Sequence, residues 1–249
     1  MTADNSSTLA DRLPTPDEIR RIQREHCAKA DIENAERDKL LPPVNPNCLD
    51  YFSSPLYQGL PPTVYVVGTG PNGKAAWSRI PDDAYVIAVN QAMLIEGIPD
   101  PALWVTFDRT LWHEPKPWWQ AALDRSDDLG TIRLFGDVNA GRVYSDYSFK
   151  YAPHFHEDPR KTLLHGVLRG GCNVAGCACQ AAYWGGAKTI ILCGIDMFGQ
   201  VYYDGSVNPK VREEEWKWTH MFSQLLALIK AREVTVLSIS PTALKVEVI

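Results

Sequence analysis

Short apolar runs recur along the chain from Leu60 onward, each separated from the next by a stretch with helical spacing. "TVYVVG" (63–68), "AYVIAVN" (84–90), "ALWVTFD" (102–108), "TIRLFG" (131–136), "KTIILCGID" (188–196) and "VTVLSIS" (234–240) predict strands. Between them, "GKAAWSRI", "AMLIEG", "PKPWWQAALDRS", "NVAGCACQAAYWGGA" and "EEEWKWTHMFSQLLALIKARE" predict helices. In the last of these Trp218, Met221, Phe222, Leu225 and Ile229 recur on one face. The strands are apolar along their whole length rather than alternating, so both faces of the sheet are covered. The expected fold is α/β: a mostly parallel, doubly wound sheet with helices on both sides. Residues 137–168 read as a long, aromatic-rich irregular section.

The first 56 residues follow a different pattern. Thr15-Pro16-Asp17-Glu18 is a helix start, with an N-cap threonine, proline at the first helical position and glutamate three residues after the cap. The helix extends to about Leu40, but its apolar face is thin (Ile19, Ile22, Ile32). The prolines of "LLPPVNPNC" end it in an extended connector. Residues 1–56 therefore read as an N-terminal helical arm with a Pro-rich connector, available for a homo-oligomer contact, and residues 57–249 as the main domain.

Composition is that of an ordinary globular chain, 45% hydrophobic and 22% charged over 249 residues. The net charge of −5 and the lack of a dense Lys/Arg run argue against nucleic acid as a partner. No apolar run reaches the length of a membrane span, and the start is polar, which points to a cytoplasmic protein. The six cysteines (Cys27, Cys48, Cys172, Cys177, Cys179, Cys193) contain no C-x-x-C pair and read as small buried residues rather than metal ligands.

The candidate chemistry begins at "VYVVGTGPNG", residues 64–73. A Gly-rich turn between a strand and a helix lets an anion approach free backbone N–H groups. Gly68, Thr69, Gly70, Pro71 and Asn72 are the nucleotide-binding candidates there. The dinucleotide version needs an acidic residue at the end of the second strand to hold the ribose. Here that strand ends in Asn90-Gln91, and Pro71 removes an N–H from the loop, so NAD and FAD are disfavoured. Polar residues nevertheless end several strands: Asn90 and Gln91, then Asp108 and Arg109, then Asp196. Ligands of open parallel sheets bind at those carboxyl ends. The reading is a Rossmann-like nucleotide-binding domain over residues 57–249.

Four segments occur in an order that resembles two related groups: "VVGTGPNG", "VIAVNQAM", "PALWVTFD" and "GGCNVAGCACQAAYWGGAKTIILCGIDMFG", within residues 62–200. One group is the 6-hydroxymethylpterin diphosphokinase-like domain of motility accessory factors and many phage proteins. The other is the bacterial lipooligosaccharide sialyltransferases. The resemblance implies that Gly68, Gly70 and Pro71 face nucleotide phosphates and that Asn90 of the Asn90-Gln91 pair contacts the nucleotide. It also implies that Gly170 and Gly171 form a turn cradling base, ribose or phosphate. Asp108 and Asp196 are implied as acidic site residues, and as Mg²⁺ ligands if the reaction uses that metal. Both groups tend to carry a histidine soon after the Asp196 position. Here "MFGQVYYDGS" has none, leaving Asp204, or a histidine from the irregular section (His154, His156 or His165), as the base.

Three functions follow. The first is glycosyl transfer from a nucleotide-sugar to a hydroxyl acceptor, a glycan or small molecule. Catalytic candidates are Asp108, Asp196, Asp204 and His165, with Trp112, Trp118, Trp119, Tyr144, Tyr147 and Tyr151 around the acceptor. The second is Mg²⁺-assisted diphosphate transfer from ATP, although Ala75 stands where a P-loop needs Ser or Thr. The third is a catalytically degenerate binding module. None of them requires a tightly bound cofactor.

Overall fold

A computed structural model describes residues 46–107, 117–136, 144–150, 163, 165–168, 173–197, 205 and 211–249. All lie in one compact unit, Pro43–Ile249. The expected helix of residues 15–40 lies outside the described residues.

The described strands are β1 (Leu49–Asp50), β2 (Thr63–Val67), β3 (Tyr85–Val89), β4 (Leu103–Thr106), β5 (Ile132–Gly136), β6 (Tyr147–Phe149), β7 (Thr189–Cys193), β8 (Thr235–Ser238) and β9 (Glu247–Val248). They form one sheet in the order β1-β6-β5-β4-β3-β2-β7-β8-β9. Every pairing is parallel. The described helices are α1 (Pro117–Leu129), α2 (Val174–Trp184) and α3 (Val211–Lys230).

Two apolar layers cover the sheet, as the unbroken hydrophobic strands require. On one side Val64, Val66, Ile87, Val89, Ile190 and Leu192 meet α2 and the Phe222, Leu225, Leu226 and Ile229 face of α3. On the other, Val67, Val86, Ala88, Trp104 and Phe135 meet α1 and the turn after β3. Helix α2 presents Ala175, Gly176, Cys177, Ala178, Cys179, Ala181 and Ala182, all buried. Such small side chains let it lie close over β2, β3 and β4. Cys177, Cys179 and Cys193 are buried free thiols, in keeping with their sequence reading, whereas Cys48 is only half-buried, against it; Cys27 and Cys172 lie outside the described residues.

Several sequence expectations need correction. "GKAAWSRI" is not an α-helix but two 3-10 turns, Pro71–Gly73 and Trp77–Arg79. Its bonds all span three residues, from Gly73 N–H to Gly70, Ala76 to Gly73, Arg79 to Ala76 and Ile80 to Trp77. Pro81 closes the segment after ten residues, and within it the bonds stay of the three-residue kind. "AMLIEG" is likewise short, a single 3-10 stretch over Asn90–Leu94. The section expected to be irregular contains β6, which pairs with β5. The sheet also begins ahead of residue 57. Leu49–Asp50 pairs with β6, and Tyr51 is buried with its hydroxyl donating to the Ala181 carbonyl at 2.6 Å.

Candidate functional site

The strand order reverses direction at one place. From β2 the chain steps to β3, β4, β5 and β6, then returns to place β7 on the other side of β2. The connections leaving β2 and β7 diverge there and open a crevice at the carboxyl ends of the two strands, the usual ligand position in such sheets. The loop after β2 carries Gly68, Thr69, Gly70, Pro71 and Asn72. The loop after β7 carries Gly194, Ile195 and Asp196. The topology thus brings Asp196 to the glycine loop from 124 residues away in sequence.

The two loops are tied together. Gly68 N–H donates to Cys193 at 2.9 Å and Gly70 N–H to Gly194 at 2.8 Å. Asn72 N–H donates to Asp196 Oδ2 at 2.8 Å, and Gly73 N–H to Gly70 at 3.0 Å. Gly194 has φ +65, and a Cβ there would fall 2.6 Å from the Gly68 carbonyl oxygen, so glycine is required on both counts. The following loop braces the same turn. Ser240 Oγ accepts from Gly194 N–H at 2.9 Å, and Thr242 Oγ1 donates to the Ile195 carbonyl at 2.7 Å. Sequence reading missed Gly194, Ser240 and Thr242; the "CGID" and "SISPT" turns after two adjacent strands were the available signal.

Asp196 is only 3% exposed. One carboxylate oxygen holds the Asn72 amide; the other, Oδ1, is buried with no hydrogen-bond partner among the described residues. Burial raises the Asp196 carboxyl above the ordinary aspartate range, and the Asn72 hydrogen bonds offset only part of that rise. The neighbouring Cys193 thiol is pushed up to about 12, first by burial and then by the Asp196 charge. An enclosed carboxylate with an idle oxygen is a costly arrangement, and such groups concentrate at functional sites.

Asn90 stands at the end of β3, beside this crevice. Its φ is +50, in the left-handed region that asparagine tolerates better than most residues. Two bonds from β4 hold it there. Trp104 Nε1 donates to its carbonyl at 2.9 Å, and Thr106 Oγ1 donates to its Oδ1 at 2.7 Å. The bond to Oδ1 orients the carboxamide and leaves Nδ2 without a partner among the described residues. Met197, directly after Asp196, also has positive φ (55), so backbone strain marks both strand ends. Gln91, half-buried, follows Asn90 in the same turn.

Other sequence candidates fall elsewhere. His165 is exposed and packs against Phe52, Tyr57 and Trp184, with ring centroids 4.4, 5.3 and 5.9 Å away. Trp184 ends α2, and the next residues bond to the segment entering β2: Leu60 N–H to Gly185, and Lys188 and Thr189 N–H to Pro62. His165 therefore packs beside the C-terminal end of α2, next to the segment that enters β2. Trp119 is core, packed between Trp104 and Phe135 at 5.2 and 5.7 Å, rather than an acceptor platform. Trp118 packs against it. Tyr147 is part of β6. Asp108, Arg109, Trp112, Tyr151, His154, His156, Gly170, Gly171 and Asp204 lie outside the described residues. No group of three or more His, Cys, Asp or Glu gathers as a metal site among the described residues, and Asp108, the other acidic candidate for Mg²⁺, lies outside them. A groove of about 440 Å³, lined by residues including Pro62, Tyr65, Pro81, Asp83 and Tyr85, lies at the amino ends of β2 and β3. No described helix is long and apolar enough to cross a membrane.

No family model matches the chain, and no curated protein does. Solved structures do. The MAf glycosyltransferase from Magnetospirillum magneticum AMB-1 superposes with a TM-score of 0.51 at 14% identity, over 86% of this chain. The fold is shared with that enzyme. The chain spans only 36% of the enzyme's length. The Campylobacter jejuni sialyltransferase CstII, in complex with cytidine-5'-monophosphate, gives a TM-score of 0.43 at 16% identity over 72% of this chain and 80% of its own. The α-2,3-sialyltransferase Cst-I of the same organism gives 0.46 at 14% identity over 72% and 76%.

Proposed function

We propose that the chain is a nucleotide-dependent transferase that moves a sugar from a nucleotide-sugar donor to a hydroxyl acceptor. One observation carries the reading. At the switch point of a parallel sheet, a buried carboxylate oxygen without a partner (Asp196 Oδ1) stands beside a strained asparagine whose carboxamide N–H groups are uncommitted. A site with both an acceptor and a donor of this kind suits a ligand with hydroxyl or amino groups at one end and an anion at the other. The fold shared with a glycosyltransferase supports the choice of reaction.

In this reading the acceptor oxygen attacks the anomeric carbon. The bond from that carbon to the nucleotide's phosphate oxygen breaks, and the acceptor proton passes to a carboxylate, Asp108 or Asp204. The leaving phosphate is steadied by the Asn90 carboxamide and by the N-terminal end of α2. That helix begins after its cap Asn173, whose side chain accepts from Gly176 N–H at 2.7 Å. The helix dipole there favours negative charge. Diphosphate transfer from ATP has no described pair of carboxylates in its favour.

The test is a thermal-shift panel of CMP, UDP, GDP, NAD⁺ and ATP with Mg²⁺. Saturation at a hundred times the dissociation constant stabilises the fold by about 2.7 kcal/mol. The expected result is a rise with CMP, UDP or GDP and none with NAD⁺. A response confined to NAD⁺ or to Mg²⁺-ATP overturns the proposal.

A further inference from the structure

We infer that the nucleotide binds with its nucleoside end, not its phosphates, against the glycine loop, where Asp196 Oδ1 accepts a hydrogen bond from a ribose hydroxyl or a base amino group. The inference rests on the function proposed above and adds the direction in which the ligand lies.

A glycine loop that cradles phosphate needs idle amides. Here the amides of Gly68, Gly70, Asn72 and Gly73 all donate within the protein and Pro71 has none to give, which leaves Thr69 N–H as the one amide of residues 68–73 without a bond among the described residues, too few to cradle a phosphate. What this corner offers instead is a carboxylate. Asp196 is packed so closely on Gly70 that a Cβ at Gly70 would lie 2.5 Å from its Cγ. A carboxylate accepts hydrogen bonds and repels phosphate. Its buried Oδ1 lacks a donor, and hydroxyl and amino groups are the donors that a nucleoside carries.

The neighbouring strand offers the opposite chemistry. The Thr106 hydroxyl occupies Asn90 Oδ1, so the group left for a ligand is the Nδ2 donor. Adjacent strands lie about 4.8 Å apart, so one nucleotide reaches from the end of β2 to the end of β3. Hydroxyls or amine on Asp196 and phosphate toward Asn90 is the orientation in which every polar group meets its complement.

The experiment is calorimetric titration of the full chain and of Asp196→Asn with CMP, 2',3'-dideoxy-CMP and UMP. Asparagine keeps an acceptor for the Asn72 amide but turns the second position from acceptor to donor. Wild type should lose tenfold or more in affinity on removal of either the sugar hydroxyls or the base amine; which analogue fails identifies the donor. Asp196→Asn should bind CMP at least tenfold more weakly than wild type and should no longer discriminate against that analogue. The wild-type series stands whether or not the variant folds. If wild type binds all three alike, or Asp196→Asn discriminates as wild type does, the inference falls while nucleotide binding stands. Tighter CMP binding by Asp196→Asn would place the phosphate at the loop and reverse the orientation. If wild type binds none of the three but binds UDP or GDP, the same comparison with their deoxy forms decides. If it binds no nucleotide, the proposed function falls and takes this inference with it.

Discussion

Gly70→Ala isolates the contact on which the crevice is built. Gly70 has φ −63 and ψ 144, so alanine meets no backbone objection. Its methyl would sit 2.5 Å from Asp196 Cγ and 2.7 and 2.8 Å from the carboxylate oxygens. Carbon–carbon contacts settle near 3.5–4.0 Å, so the carboxylate must retreat by roughly 1 Å. Overpacking of this kind costs about 1–3 kcal/mol. The retreat also gives up the Asn72 bond at 2.8 Å, and a hydrogen bond to a charged group contributes about 1.5–3 kcal/mol. Gly70→Ala should therefore destabilise the protein by about 2.5–6 kcal/mol. Asp196→Ala removes the obstacle, so in Gly70→Ala/Asp196→Ala the methyl has room and the Asn72 bond is lost only once. The double variant should lose about 2.5–6 kcal/mol less than the two single losses added. Urea unfolding followed by tryptophan fluorescence measures all four proteins. Losses that add to within about 0.5 kcal/mol, or a Gly70→Ala protein as stable as wild type, refute the packing of Asp196 on Gly70.

The raised Asp196 carboxyl gives a pH dependence of definite sign. The folded protein holds this proton above about pH 3.9, where the unfolded chain releases it, so the group's contribution to stability falls as pH rises through that window. Wild-type stability minus that of Asp196→Asn should decline from pH 4 up to the raised value and then level off; a flat or rising difference contradicts the burial of this carboxyl. Asn90→Gly adopts φ +50 without strain and removes only the carboxamide. Nucleotide affinity should drop at least tenfold while stability falls by about 1–3 kcal/mol, since the buried Thr106 hydroxyl loses this acceptor, and unaltered affinity removes Asn90 from the site. Asn90→Val, with a branched side chain in the same backbone conformation, should lose about 1–3 kcal/mol of stability beyond that. His165→Ala should cost about 0.5–1.5 kcal/mol through its ring contacts and leave nucleotide affinity unchanged; a large loss of affinity would put the site at the wrong edge of the sheet.

Much of the sheet was legible because parallel strands buried on two faces have no polar alternation to hide them. "AYVIAVN" and "KTIILCGID" announce themselves in this way. The short strands at the sheet margin were not legible: Leu49–Asp50 and Tyr147–Phe149 hold too few residues to show a period. The helix expected after the glycine loop is replaced by three-residue turns that the local sequence does not foretell, since proline at 71 suits a helix start and Pro81 only limits its length. Among the site residues, the carboxyl-end placement of Gly68–Asn72, Asn90, Gln91 and Asp196 follows from strand order alone. Their bonding does not. Nothing local says that an aspartate 124 residues away takes the Asn72 amide, or that Thr106 orients Asn90. The packing of His165 on Phe52, Tyr57 and Trp184 was not legible either, because nothing local says which element a loop residue covers.

Hydrogen exchange of the full chain with and without saturating CMP tests the central claim most directly, since it asks where the ligand lies without altering a residue. Slowed exchange should appear in peptides covering residues 68–73, 90–92 and 194–197, at the carboxyl ends of β2, β3 and β7. Protection confined to residues 61–65 and 81–85, around the groove at the amino edge, would contradict the account.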